Sequence, residues 1–300
     1  MDKFKVSVIV TNYNGKELLS KNLPSLIKAK ENPKNRIIEI IVVDDASSDG
    51  SVNLLKRNFA EVRVISHKKN RGFAVATNTG VRIAKGDLVC LLNNDVFCSE
   101  NFLESVFDIF DKDDKVFAVS LNEGLYGPAC GYFEDGFIVH KPLPLSKKPR
   151  KTFWVSGGSG IFRRDIWVEL GWMDEKIFHP FYWEDVDLSY RALKHGYELY
   201  WDPQAKVIHQ HEATIGKFNQ KKKARIQERN QLLFIWKNLT SKRLMAKHIA
   251  GLFQRLFRHP GYLLIVFMAL LKIREVIKMR KKESKESLVA DEFILDSFKK

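Results

Sequence analysis

The amino-acid sequence predicts an α/β protein with a mostly parallel central sheet and a helical, basic C-terminal extension. Three observations support this prediction. Short apolar segments alternate with helical patterns, several of these apolar segments end in polar side chains, and the positive charge is concentrated late in the chain. Alternation of strands and helices with short connections is typical of a parallel sheet covered by helices.

The predicted strands are runs of β-branched and aliphatic residues that lack a strict polar alternation. Runs of this kind suit strands that are buried on both faces. We predict strands and helices in turn at residues 6–10 (strand), 18–27 (helix), 37–43 (strand), 52–59 (helix), 62–65 (strand), 73–84 (helix) and 88–92 (strand).

The pattern is less regular after residue 120. Residues 121–150 are rich in Gly, Pro and Lys and are predicted to form a loop region. Further on we predict a glycine-rich turn at 154–162, a short helix at 165–170, a loop that enters a helix at 181–195, and a last short strand at 207–211.

Polar side chains follow three of the predicted strands at the point where each strand ends. They stand at residues 11–14, 44–45 and 93–95. Because ligands of open parallel sheets bind beyond the carboxyl ends of the strands, these residues predict one binding crevice. The patterns GxGxxG and GxxxxGKS/T do not occur in the sequence, which argues against a dinucleotide-binding turn or a phosphate-binding loop.

The distribution of charge and cysteine narrows the class of protein further. Residues 217–285 contain 19 Lys and Arg against 3 Glu, which accounts for the net charge of +14 and leaves the rest of the chain close to neutral. We therefore expect an enzyme domain joined to a basic segment that contacts an anionic partner. Three cysteines without CxxC spacing indicate reduced thiols, and the N-terminal sequence lacks a secretion-signal pattern, so we expect a cytoplasmic protein.

Six motifs in order resemble family 2 glycosyltransferases of the GT-A fold over residues 5–240. The motifs are SVIVTNYNG, IIVVDDASSDGS, NRGFAVATNTG followed by AKGD, LLNNDV, FYWEDVDLSYR and VIH. RNQLLFIWKN at 229–238 is most similar to the rhamnosyltransferase and galactofuranosyltransferase branch, and the QxxRW motif of processive synthases is missing. The resemblance implies an inverting transfer of sugar from a UDP- or dTDP-sugar donor to a glycan or lipid-linked acceptor in cell-surface polysaccharide synthesis.

The resemblance also implies a divalent metal, Mn²⁺ or Mg²⁺. The family's DXD element maps onto Asn93-Asn94-Asp95, where the first Asp is replaced by Asn93 and the last is kept. A hard cation that bridges the two donor phosphates needs few protein ligands, since the phosphates supply oxygens. Asp95 and His209 are the expected ligands, with His211 as the alternative because it lies two residues along the same strand.

The ED motif implies the catalytic residues. Asp185 is expected to act as the general base that takes the proton of the acceptor hydroxyl, and Glu184 to bind the acceptor or orient its neighbours. Asp187 is a third candidate, although Asp185 or Asp187 can instead cap the helix that follows. Trp183 is expected to stack on a sugar face, or else to be a core aromatic.

Donor contacts are implied at the ends of the first strands. The resemblance places Asp45 near the nucleobase, with Asp44 as the alternative and Thr11 and Tyr13 in the same pocket. Arg71 is expected to meet the diphosphate, or else to be a surface arginine, and Asn94 of the metal element is expected to bind the donor. Gly157 and Gly158 are expected to let the backbone approach the donor or acceptor sugar, because glycine lacks a Cβ atom.

We predict a catalytic domain at 1–216 and a helical, basic, membrane-associating region at 217–300. The apolar stretch from Gly261 to Leu271 is too short to span a bilayer, so we expect amphipathic helices in the headgroup plane on the inner face of the cell membrane. The alternative is that these helices pack on the catalytic domain or on a second copy of the chain. Two rival functions are a nucleotidyltransferase of sugar-nucleotide metabolism and a nucleic-acid-binding protein. The second is disfavoured because the basic residues interleave with aliphatics and match no nucleic-acid-binding motif.

Overall fold

The computed structural model of the chain describes residues 4–209 and 219–298. The strands are β1 (Val6–Asn12), β2 (Ile37–Asp44), β3 (Arg63–Ser66), β4 (Leu88–Asn93), β5 (Val96–Cys98), β6 (Val116–Asn122), β7 (Ala129–Glu134), β8 (Phe137–Pro142), β9 (Arg150–Lys151), β10 (Ser159–Arg163) and β11 (Glu198–His209). The helices are α1 (Lys16–Glu31), α2 (Ser51–Asn58), α3 (Phe73–Ile83), α4 (Val106–Lys112), α5 (Arg164–Glu169), α6 (Glu184–Lys194), α7 (Gln220–Asn238), α8 (Lys242–Arg258), α9 (Leu263–Leu270), α10 (Ile273–Glu286) and α11 (Asp291–Ser297).

The central sheet has the strand order β3-β2-β1-β4-β10-β6-β11-β5, and β9 pairs with β11. The first four strands of this order, β3, β2, β1 and β4, are parallel to one another, as the sequence predicts. Strand β10 runs antiparallel to both β4 and β6, while β11 is parallel to β6 and antiparallel to β5. The sheet is therefore mixed, and its parallel half carries the predicted crevice.

Side chains from both faces of the sheet are buried, which explains the continuous apolar runs. Val8 and Val10 of β1 pack in one layer with Leu19 and Leu23 of α1. Ile9, which points to the opposite face, packs in the second layer with residues of α3. Successive side chains of a strand point to opposite faces. When both faces are covered, all side chains of the strand are buried, and the strand is therefore apolar along its length.

The loop predicted at 121–150 contains a β-hairpin formed by β7 and β8. Its two-residue turn is Asp135-Gly136, and both residues have positive φ angles, 49° and 87°. An Asp-Gly pair between two apolar runs is a strong hairpin signal, because both turn positions need the left-handed conformation. The prediction of a loop was therefore wrong for residues 129–142.

The C-terminal helices form a third buried cluster together with the hairpin and α6. Phe234 of α7, Ile265 of α9 and Val276 of α10 lie in this cluster with Phe137 and Tyr190. The helical content predicted after residue 217 is observed, whereas the predicted domain boundary at 216/217 lies outside the described residues. Within residues 4–209 and 219–298, no helix is both long and apolar enough to cross a bilayer.

Candidate functional site

The register of the parallel strands brings the predicted polar residues to one edge of the sheet. Asn12 pairs with Asp44 across β1 and β2, and Thr11 pairs with Asn93 across β1 and β4. The buried Asn12 side chain joins the strand ends, since its Nδ2 donates to Asp44 Oδ2 (2.8 Å) and its Oδ1 accepts from Asn94 Nδ2 (2.7 Å). Asp44 and Asn94 thus hold the crevice edge in place.

A cavity of about 870 Å³ opens at this edge. The predicted residues that line it are Thr11, Tyr13, Asp45, Asn94, Asp95, Gly158, Trp183, Glu184, Asp185 and His209. Asp44, Arg71 and Gly157 lie outside the lining, although each is adjacent to a residue that lines it. His211 lies outside the described residues.

Asp45 organises the turn beneath the cavity. Its carboxylate accepts the backbone N–H groups of Arg71 (2.9 Å) and Gly72 (2.8 Å) and contacts the His67 ring at 2.7 Å. Gly72 has φ +87° and its backbone lies against His179, which leaves no room for a Cβ atom. Asp45 therefore fixes the turn that leads into α3, and the same carboxylate faces the cavity.

Asp95 and His209 meet in the cavity although β4 and β11 are far apart in sequence. Asp95 Oδ1 lies 3.0 Å from His209 Nε2. The other ring nitrogen of His209 contacts Glu123 Oε1 at 2.9 Å, and that oxygen also accepts the Ser159 hydroxyl hydrogen. Burial lowers the pKa of His209, but close contacts with the Asp95 and Glu123 carboxylates outweigh burial and raise the pKa to about 9.

The Asp95–His209 pair fits a divalent cation. Asp95 Oδ1 is buried and faces the Nε2 atom of His209. A carboxylate oxygen and an imidazole nitrogen are ligands that Mn²⁺ accepts, and the Glu123 carboxylate on the other ring nitrogen would orient His209. Binding of the cation would require His209 Nε2 to lose its proton, which the raised pKa of His209 makes less favourable without the metal. Groups of three or more His, Cys, Asp or Glu suited to hold a metal do not occur between residues 4 and 209 or 219 and 298. The remaining ligands would then be oxygens of the donor or of water.

Glu184 and Asp185 stand at the N-terminus of α6 with different surroundings. Asp185 Oδ2 accepts the Gly157 N–H (3.1 Å) and Oδ1 accepts the Val186 N–H (2.8 Å). Burial raises the pKa of Asp185, while these backbone donors act in the opposite direction. Burial and the neighbouring Asp185 charge raise the pKa of Glu184 well above its usual range. The backbone donors on Asp185 thus favour its ionised form, whereas the surroundings of Glu184 favour its protonated form.

Asp187 is a structural residue and faces away from the cavity. Its carboxylate is fully buried and accepts hydrogen bonds from Arg191 Nε (2.9 Å), Lys237 Nζ (2.8 Å) and Asn238 Nδ2 (2.8 Å). Lys237 also pairs with Asp174 at 3.1 Å. This network ties α6 to α7, so it fixes the helix that presents Glu184 and Asp185.

One wall of the cavity is aromatic. Trp183 has φ +77° and packs against Phe234 and His140, with ring centroids 5.1 and 5.7 Å apart. Trp154 lies 5.3 Å from His140, and its indole nitrogen is buried without a hydrogen-bond partner among the described residues. Trp183 is therefore partly a packing residue, but its exposed part lines the cavity.

Gly158 and Gly15 are required by close approaches at the crevice edge. A Cβ atom on Gly158 would lie 2.4 Å from Asn93 Nδ2, and one on Gly15 would lie 2.0 Å from Asn94 Nδ2. Both glycines therefore make room for the two asparagines of the metal element.

Glu123 and the contribution of α7 to the cavity were not predicted from the sequence. Glu123 follows the apolar strand β6 in the same way that Asp95 follows β4, so a polar strand end could have identified it. Lys223 and Gln227 of α7 also line the cavity. No local pattern marks them, since α7 reaches the cavity only through tertiary packing.

The sheet order and the cavity at its carboxyl edge define the class of GT-A glycosyltransferase folds. Residues 7–170 match the family model described as Glycosyl transferase family 2, and the chain belongs to this family. The expected family and fold are thereby confirmed.

Curated relatives are similar over part of their length. A pre-mycofactocin glycosyltransferase of Mycobacterium tuberculosis is 30% identical over 195 residues, which cover 60% of this chain and only 39% of the relative. An N-acetylglucosaminyl-diphospho-decaprenol L-rhamnosyltransferase of the same organism is 25% identical over 243 residues, covering 70% of this chain and 77% of the relative. A poly-beta-1,6-N-acetyl-D-glucosamine synthase of Staphylococcus aureus is 24% identical over 208 residues, which cover 67% of this chain and 48% of the relative.

Solved structures share the fold at low sequence identity. The structure of GalNAc-T7 with UDP, GalNAc and Mn²⁺ superposes with a TM-score of 0.63 at 18% identity, covering 86% of this chain and 57% of that one. A mannosyltransferase from Pyrobaculum calidifontis in complex with GDP-Man and Mn²⁺ gives a TM-score of 0.55 at 18% identity, and the match covers 93% of this chain and 84% of the mannosyltransferase.

Proposed function

We propose that the protein is an inverting, metal-dependent glycosyltransferase that moves a sugar from a UDP- or dTDP-sugar to a hydroxyl of a glycan or lipid-linked acceptor. The observation that carries this proposal is the meeting of Asp95 and His209 in the cavity that also holds Glu184 and Asp185. The family match favours transfer over the nucleotidyltransferase alternative. The rhamnosyltransferase and polysaccharide-synthase relatives support a role in cell-surface polysaccharide synthesis.

The donor is proposed to lie along the ends of β1, β2 and β4. Thr11, Tyr13 and Asp45 line this part of the cavity and are proposed to contact the nucleobase and ribose. Asp95 and His209 would hold the cation, which supplies positive charge to the diphosphate leaving group when it is bound. Two of the fold neighbours were solved with Mn²⁺ and a nucleotide or nucleotide sugar, which supports this arrangement.

Asp185 is proposed to accept the proton of the acceptor hydroxyl. Each of its oxygens receives one backbone N–H, so each retains a lone pair for the acceptor. Glu184, whose raised pKa favours the protonated form, would donate a hydrogen bond to the acceptor. Its Oε2 and Trp154 Nε1 are buried polar atoms in the cavity that lack hydrogen-bond partners among the described residues, so both are suited to bind acceptor hydroxyls.

The proposal is tested by measuring sugar transfer and donor hydrolysis with a panel of UDP- and dTDP-sugars in the presence of Mn²⁺ or Mg²⁺. We expect turnover with at least one nucleotide sugar and its loss after chelation with EDTA. Turnover that is unchanged by EDTA would contradict metal dependence, and the absence of turnover or nucleotide binding across the panel would contradict the donor class.

Replacing Asp95 with Ala is expected to abolish metal-dependent transfer without unfolding the protein. Replacing a residue that only hydrogen-bonds to a metal ligand typically lowers the affinity for the metal by about 10- to 100-fold. Replacing a ligand itself should lower this affinity further. The direct readout is the thermal shift produced by UDP with and without Mn²⁺, which should lose its Mn²⁺ dependence. Asp108→Ala, which removes an exposed carboxylate of α4, serves as the matched control. An Asp95→Ala protein that keeps the Mn²⁺-dependent shift would refute the assignment.

The reaction is expected to lose activity on the acid side of neutrality. Burial raises the pKa of Asp185, and a general base acts only in its ionised form. The rate should therefore fall as the pH falls through this raised pKa, with the acid limb above the ordinary Asp value of about 3.9. A profile of kcat/KM against pH measures this limb. A limb at or below the ordinary value would show that the titrating base is another group.

A further inference from the structure

Helix α8 exposes a stripe of large apolar side chains. Ile249, Phe253 and Phe257 follow one another at intervals of four residues and are 49%, 70% and 89% exposed. Residues four apart lie on one face of a helix, so these three side chains form a continuous row. The opposite face of α8 is already packed, with Leu244 and His248 buried against the hairpin region.

Helix α9 exposes a second apolar arc. Leu263, Phe267 and Leu271 at and just beyond this helix are 60%, 60% and 71% exposed, while Ile265 and Ala269 are buried on its other side. The exposed arc is thus not the face that α9 uses for packing on α7. Large exposed apolar patches of this kind mark interaction sites.

The apolar rows are surrounded by positive charge. Residues 242–285 contain twelve Lys and Arg and two Glu. On α8 the exposed Lys247 and Arg258 flank the Phe row, and on α10 Arg274, Lys278 and Lys281 are exposed. A second copy of this surface would bring two strongly positive faces together, whereas an anionic lipid surface offers both an apolar layer and complementary charge.

We propose that α8 and α9 form a docking surface for an anionic lipid bilayer, on which both helices lie in the headgroup plane. Phe253, Phe257 and Phe267 enter the boundary of the acyl chains, and the neighbouring Lys and Arg contact the anionic headgroups. Helix α9, with 8 residues, is far shorter than a membrane span, and the 17 residues of α8 include five Lys and Arg, so neither helix is suited to cross a bilayer. The proposal does not depend on the proposed sugar transfer, but it would place the cavity close to an acceptor carried on a lipid.

The test is co-sedimentation of the full chain with vesicles of phosphatidylcholine alone or mixed with phosphatidylglycerol. We expect binding to the anionic vesicles that weakens with added salt and little binding to the neutral ones. The double variant Phe253→Ser/Phe257→Ser should bind about tenfold more weakly or worse, since burial of each Phe is lost. Leu145→Ser, which changes an exposed apolar residue 57% accessible on the loop before β9, is the matched control.

Three outcomes would overturn the proposal. The first is full-length protein that stays in the supernatant with anionic vesicles at low salt. The second is equal binding of the double variant and the wild type. The third is a dimer in light scattering that the double variant converts to a monomer, because the surface would then be a contact between two copies. The thermal shift with UDP and Mn²⁺ should be the same in the double variant and wild type, which separates loss of docking from failure of the proposed function.

Discussion

Replacing Asp185 with Asn is expected to lower the transfer rate by about 10²- to 10⁴-fold while donor binding stays nearly normal. Asn keeps the size of the side chain but has a single acceptor oxygen, so it can keep only one of the two backbone hydrogen bonds, from Gly157 or from Val186. What is lost is the negative charge that takes the proton of the acceptor hydroxyl. Steady-state kinetics together with the nucleotide-induced thermal shift separate these two effects.

The control for this prediction is the neighbouring carboxyl group. The pKa of Glu184 is raised by burial and by the charge of Asp185, which favours the protonated form, and Gln resembles that form. Glu184→Gln should therefore lower the transfer rate less than Asp185→Asn does. If Glu184→Gln is inactive and Asp185→Asn turns over normally, the base is Glu184 and the roles of the two residues are exchanged.

The predicted crevice could be found from sequence because its signals are local. A continuous apolar run that stops at polar residues marks the carboxyl end of a buried strand, and parallel neighbours bring such ends together. Asn93, Asn94 and Asp95 were found in this way, and the register of β4 with β1 places them at the crevice. The same signal at the end of β6 would have shown Glu123.

The finer assignments depended on side-chain direction, which the sequence pattern left open. Asp44 is directed to Asn12 and to the Ser47 N–H, whereas its neighbour Asp45 lines the cavity. Asp185 and Asp187 are two residues apart on a helix, so they point to nearly opposite sides. Only the position of α7, which supplies Lys237, shows which of the two is buried in an ion-pair network.

For the C-terminal helices, too, the sequence pattern does not give the direction in which side chains point. The sequence predicts that this region is helical and basic. It does not predict whether the helices cover the catalytic domain or contact another surface. The structure shows that each helix has two faces with different surroundings. Ile265 and Ala269 pack inward, and Phe253 and Phe257 remain exposed.

Replacing Asp187 with Ala is expected to lower the free energy of unfolding by about 3–5 kcal/mol, the cost of breaking a buried ion pair by removing one partner. The Asp187 carboxylate is fully buried and neutralises both Arg191 and Lys237. Without it, Lys237 keeps the pair with Asp174, and Arg191 keeps the carbonyls of Leu170 and Trp172. The buried Glu283 carboxyl also acts on both cations but makes no ion pair with either within 4 Å. The destabilisation comes from these buried positive charges, because the lost packing of one small side chain is minor.

Urea unfolding of three variants measures this effect and distinguishes it from catalysis. Asp187→Asn removes the charge but keeps an acceptor, so its loss of stability should be smaller than that of Asp187→Ala. Glu286→Ala, which breaks the exposed pair with Lys282, should change stability little, since exposed pairs are weak. Asp185→Asn gives up one backbone hydrogen bond, so it should lose less stability than Asp187→Ala while it lowers the transfer rate. An Asp187→Ala protein as stable as the wild type would mean that the network contributes no net stability, and the position of α6 would have to be explained by apolar packing alone.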